Sequence, residues 1–109
     1  MSWYVLVEQS ESLGGDNTWV LTQKVAVEGD RDAAVARAEE LCRTVGSREK
    51  DGRLVFRRSP TSWLVELSYE YWDERARVST RHLQVSVAEL VLSEKAPPAE
   101  KPKKFWQRG

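Results

Sequence analysis

Histidine and cysteine are the side chains that most often carry chemistry, and this chain of 109 residues has one of each, His82 and Cys42. A structural zinc site needs about four Cys or His ligands at short spacings, so one chain cannot build one. A Cys–His or Ser–His pair needs the base within hydrogen-bond reach of the nucleophile. Cys42 instead recurs with Ala34, Ala38, Leu41 and Val45 at helical spacing, the position of a buried, inert thiol. His82 alternates with Val78, Thr80 and Gln84 along an extended stretch, a mostly polar row. It reads as a solvated or hydrogen-bonded histidine.

Carboxylates are the next candidates. Glu66 and Glu70 share one face of an extended segment and stand roughly 13 Å apart at the rise of a strand. That is wider than the acid–base pair of a glycosidase. Their expected role is cross-strand pairing with Arg57, Arg77 or Arg81. No Asp-rich calcium loop is present. Gly14-Gly15 opens no helix and matches neither phosphate-binding fingerprint. These residues assign no catalytic group, no metal and no cofactor.

The aromatic residues stand out more. Five tryptophans are present, and Trp3, Trp19 and Trp63 fall on the faces that alternation assigns to the core. Tyr69, Tyr71 and Trp72 crowd the end of another strand. The C-terminus, with Lys101, Lys103 and Lys104 before Phe105, Trp106 and Arg108, is basic and aromatic. Residues 1–94 carry 12 basic and 16 acidic side chains, net −4, whereas residues 95–109 carry five and one, net +4. A split of this kind points to an interaction segment. Tyr69, Tyr71, Trp72, Lys101, Lys103, Lys104, Phe105, Trp106 and Arg108 are therefore the candidate partner-binding residues. Trp and Arg are favoured at the centres of interfaces.

The elements that must position these groups follow from periodicity. Trp3, Val5 and Val7 alternate with Tyr4, Leu6 and Glu8 in a first strand. Residues 10–17 are rich in turn formers. A second strand over 18–28 places Trp19, Leu21, Val25 and Val27 on one side, and the two strands form a hairpin. The apolar stripe predicts a helix over 31–45, capped by Asp30 and stopped by Gly46. A strand over 53–59, a turn at Ser59-Pro60-Thr61-Ser62 and a strand over 62–72 follow. A last strand over 76–92 changes phase near Ala88 and Glu89, which predicts a bulge or short break. From Ala96 the pattern ends in a proline-containing tail.

The expected fold is α+β: a curved antiparallel sheet of about five strands, in chain order ββαβββ, with one helix on one face. Residues 1–94 form one domain and 95–109 a basic tail. A 15-residue helix is about 22 Å long and covers about three strands, so some of Trp3, Tyr69, Tyr71 or Trp72 should stay uncovered in a monomer. Such a patch commonly marks an interface.

The helix followed by the Phe56–Trp63 hairpin, and the closing Val85-Ser86-Val87-Ala88-Glu89-Leu90-Val91, resemble small actinobacterial proteins of uncharacterised activity and strand–strand–helix–hairpin–strand type. The resemblance covers residues 18–92 and implies no site. Composition agrees with a high-GC bacterial source, with 13 valines and no isoleucine, and 11 arginines against six lysines.

Three functional classes follow. The first is a non-enzymatic protein-interaction module, with a second copy as one partner. The second is a nucleic-acid accessory protein using the basic tail, with Trp106 stacking on a base. The acidic body and the lack of any RRM, KH or helix-turn-helix pattern weigh against it. The third is a small-ligand protein or enzyme with a pocket between helix and sheet. One cysteine, no signal-peptide pattern and no long apolar run lead to the cytoplasm as the expected location and to no membrane.

Overall fold

The computed structural model describes residues 2–13, 16–46 and 52–99. Its elements are β1 (Ser2–Leu13), β2 (Asp16–Val27), α1 (Arg31–Thr44), β3 (Gly52–Ser59), β4 (Ser62–Asp73) and β5 (Arg75–Leu90). The five strands make one antiparallel sheet in the order β2-β1-β5-β4-β3. This is the α+β architecture expected from the pattern. The last strand lies in the middle, between β1 and β4, so the first and last strands are laced together. Among the described residues no helix is long and apolar enough to cross a membrane.

The helix forms where its cap and stripe require it. Asp30 is extended at φ −98° and accepts a bond from the Ala33 amide at 3.0 Å, satisfying one of the free first-turn donors. The stripe of Ala34, Ala38, Leu41 and Cys42 is buried. It packs across β5, β1 and β2. Beneath it lie Val5, Val7, Val65 and Val85, each fully buried, with Trp63, Leu67 and Leu83 beside them. Each such side chain withdrawn from water contributes about 1.5–3 kcal/mol.

The helix ends under unusual control. Gly46 has φ +68°, a left-handed conformation that costs other residues about 1–2 kcal/mol. It also lies against the sheet: a Cβ there would meet Leu67 Cδ1 at 2.7 Å and Leu83 Cδ1 at 3.1 Å. Arg53 Nη1 donates to the Cys42 carbonyl at 2.9 Å, and Arg81 Nη2 donates to the Gly46 carbonyl at 2.8 Å. Two guanidinium groups from the sheet thus sit at the negative end of the helix dipole.

Three local expectations are corrected. β1 runs on to Leu13 and β2 begins at Asp16, so most of 10–17 is strand. In β2 a bulge lies opposite Val7 and Glu8: Val7 pairs with Gln23 but Glu8 with Leu21. Thr22 is the extra residue, and its hydroxyl donates to the Val7 carbonyl at 3.1 Å. The bulge inverts the strand, so Trp19 and Leu21 face away from Val25 and Val27. Conversely, the phase change near Ala88 is no bulge. The β1–β5 ladder is continuous from Gln9–Leu83 to Ser2–Leu90. The strand simply runs on, placing Leu90 on the face without the helix.

Candidate functional site

The face of the sheet opposite the helix is built by the even-numbered residues of β1, β3, β4 and β5, and by the residues of β2 that pair with them. One row crosses all five strands as Leu21, Glu8, Gln84, Leu64 and Phe56. No described element covers it. Most of the large apolar side chains exposed among the described residues are here: Trp19, Leu21, Leu54, Phe56, Trp72, Val78 and Leu90. Val55 and Tyr71 are exposed on the helix side, and Val91 and Leu92 follow the end of β5.

The face is not uniformly apolar. Its middle strand offers Thr80, His82, Gln84, Ser86 and Ala88, and the large side chains cluster toward β2, toward β3 and at the β4–β5 tip. At one corner Tyr4, Leu6, Lys24, Ala88 and Leu90 line an open groove of about 300 Å³.

Tyr69, Tyr71 and Trp72 belong to a projecting arm. β3 reaches only Ser68 of β4, and β1 reaches only Leu83 of β5. Beyond those points β4 and β5 pair with each other alone, as far as Asp73 and Arg75. The structure brings Tyr69 and Tyr71 together on the helix side, with ring centroids 5.8 Å apart. It puts Trp72 on the opposite side, 77% exposed. The three are therefore neighbours in one arm but do not make one surface. Lys101, Lys103, Lys104, Phe105, Trp106 and Arg108 lie outside the described residues.

The expected carboxylate pairings do not form. Arg57, Arg77 and Arg81 have the wrong parity, lying on the helix side, while Glu66 and Glu70 lie on the other. Glu66 stands 3.7 Å from His82 Nε2, its direct cross-strand neighbour, and both side chains are partly exposed. Arg77 approaches Asp73 at 3.8 Å, and Arg81 bonds the helix end.

Cys42 is buried. Burial first, and the charge of Glu39 second, push its thiol up from 9.0 to about 11, although Arg53 and Arg43 pull the other way. A thiol held protonated in this way is a poor nucleophile. No group of three or more metal-ligating side chains occurs among the described residues.

Alternation found the arm aromatics and the buried Trp63. It missed the exposure of Trp19 and Leu21, because the bulge that turns them outward leaves no Gly or Pro in the sequence. Comparison with protein-family models, with curated proteins and with solved structures gives no match.

Proposed function

We propose that this protein is a non-enzymatic, cytoplasmic protein-interaction module that presents the sheet face opposite the helix, and the aromatic β4–β5 arm, to a protein partner. The C-terminal tail, with Phe105 and Trp106 after its lysines, adds contacts to the same partner. One observation carries the reading. Large apolar side chains on β2, β3, β4 and β5 stand exposed on a single face, whereas the helix-covered face is filled by side chains such as Val5, Val7, Val65 and Val85 at 0% exposure. A solvated sheet face ordinarily alternates to polar residues. Here Leu54, Phe56 and Trp72 take those positions and are not used by the core.

A second copy is one partner that suits this surface. Light scattering tests that form over a range of concentrations. It expects a species of about twice 12.5 kDa that reverts to monomer when Leu21 and Phe56 are replaced by serine. A strict monomer, unaffected by those changes and by removal of residues 96–109, would sink the homodimer and the tail contribution together.

A further inference from the structure

The outer edge of β3 offers a second kind of surface, the unpaired backbone beside the sheet face, with which it shares Leu54 and Phe56. β3 is an edge strand that pairs with β4 on one side only. From Gly52 to Arg57 it runs in unbroken register against Ser68 to Trp63. It contains no proline, and its first irregularity comes after Arg57. An antiparallel edge strand leaves alternate backbone N–H and C=O groups pointing outward. Proteins usually blunt such edges with bulges, prolines, charged side chains or cover, and the charges on β3 are all arginines, which repel a basic strand but not an acidic one. The other edge of this sheet, β2, has its bulge at Thr22. Over Gly52–Arg57, β3 has neither bulge nor proline, and no described element pairs with its outer side.

The side chains define what would pair there. Leu54, Val55 and Phe56 are 56%, 41% and 48% exposed, and they project to both faces of the sheet. An added strand would therefore meet apolar surface above and below itself. Basic residues flank this trio: Arg53 on one side, and the exposed Arg57 and Arg58 on the other. Arg53 is held in place by its bond to the Cys42 carbonyl. Antiparallel self-pairing would bring the arginines of two β3 strands into one seam, which like-charge repulsion disfavours. The chain's own residues 95–109 are basic and mismatched for the same reason.

We infer that β3 accepts, by strand addition, an extended segment of another protein in which a short apolar run is flanked by Asp or Glu. Main-chain bonds would supply affinity, and the exposed Arg57 and Arg58 would set charge preference and register.

The test is a titration of the full, isotope-labelled chain with end-blocked peptides of about nine residues. One alternates valine and threonine between aspartates. The second replaces the aspartates by lysines. The third is the acidic peptide with alternate amides N-methylated along one edge. The acidic peptide should shift the amide signals of residues 53–58 and bind about tenfold or more tightly than the lysine peptide, with affinity falling as salt rises. N-methylation should weaken it by a similar factor, because it removes the main-chain donors without altering the protein. An Arg57→Glu, Arg58→Glu double variant, shown to be folded by circular dichroism, should reverse the charge preference.

Equal binding of the acidic and lysine peptides, or binding indifferent to N-methylation, would overturn the proposal. So would signals that move only on the sheet face, or no shift at millimolar peptide. Concentration-dependent shifts of residues 53–58 without peptide would replace it with self-pairing.

Discussion

Arg81 donates from Nη2 to the carbonyl oxygen of Gly46 across 2.8 Å, tying the central strand to the left-handed glycine two residues beyond the helix, 35 positions earlier. A charged donor on a half-buried carbonyl contributes about 1.5–3 kcal/mol. Arg81→Met keeps much of the apolar stem and removes the donor. Urea unfolding should show a loss in that range. Arg53→Met, which removes the bond to the Cys42 carbonyl, should cost a comparable amount. Because both guanidinium groups serve one helix terminus, the double variant should depart from additivity.

Gly46→Ala should be more damaging than a surface glycine change. The residue needs φ +68°, and the added methyl would meet Leu67 Cδ1 at 2.7 Å. The backbone term alone is about 1–2 kcal/mol. Leu67→Ala removes the nearest clash, leaving Leu83 Cδ1 at 3.1 Å and the φ unrelieved. The double variant should therefore lose less than the two single losses combined, as read by thermal or urea unfolding.

The Cys42 thiol supplies a pH dependence. Its pKa rises from 9.0 to about 11 on folding, chiefly by burial. A raised folded-state pKa means that the stability owed to the neutral thiol is intact below about pH 9 and lost as pH climbs toward about 11. Compared with Cys42→Ala, the wild-type chain should lose additional stability across that window and none of this difference should change between pH 6 and 8. A thiol reagent at pH 8 should label Cys42 only at the rate of unfolding.

Glu74 turns the β4–β5 arm with φ 62°, a conformation that penalises a side chain. Glu74→Gly should raise stability by about 0.5–1 kcal/mol. If the melting temperature falls instead, the turn is held by more than its backbone geometry.

The sequence displayed this fold unevenly. The helix was legible because its cap, stripe and stop are all local: Asp30 bonds three residues away and Gly46 follows the last turn. The strands were legible by alternation. Uncovered apolar residues were expected beside the helix on its own face, whereas most of them stand on the opposite face. The bulge was not, because β2 keeps an odd–even pattern straight through Thr22 and Gln23. Nor were the roles of Arg53 and Arg81 legible. Their acceptors are backbone carbonyls brought near only by tertiary packing, and a carbonyl carries no sequence signal. Strand register, which alternation within one strand does not supply, pairs Glu66 with His82 and leaves Arg57, Arg77 and Arg81 on the other parity. The tail residues, including Phe105 and Trp106, lie outside the described part of the chain.

If the exposed apolar residues opposite the helix are held for a partner, they do not hold the fold together. Urea unfolding of a Leu54→Thr, Phe56→Thr, Trp72→Thr triple variant tests it most directly. Their exposures of 56%, 48% and 77% leave only part of each side chain to lose, and threonine keeps strand propensity, so a combined loss below about 3 kcal/mol is expected. Trp63→Ala, at 4% exposure, is the internal comparison and should cost about 3–5 kcal/mol. A triple-variant loss as large as that of Trp63→Ala would contradict the account, because it would make this face a second core of the isolated chain.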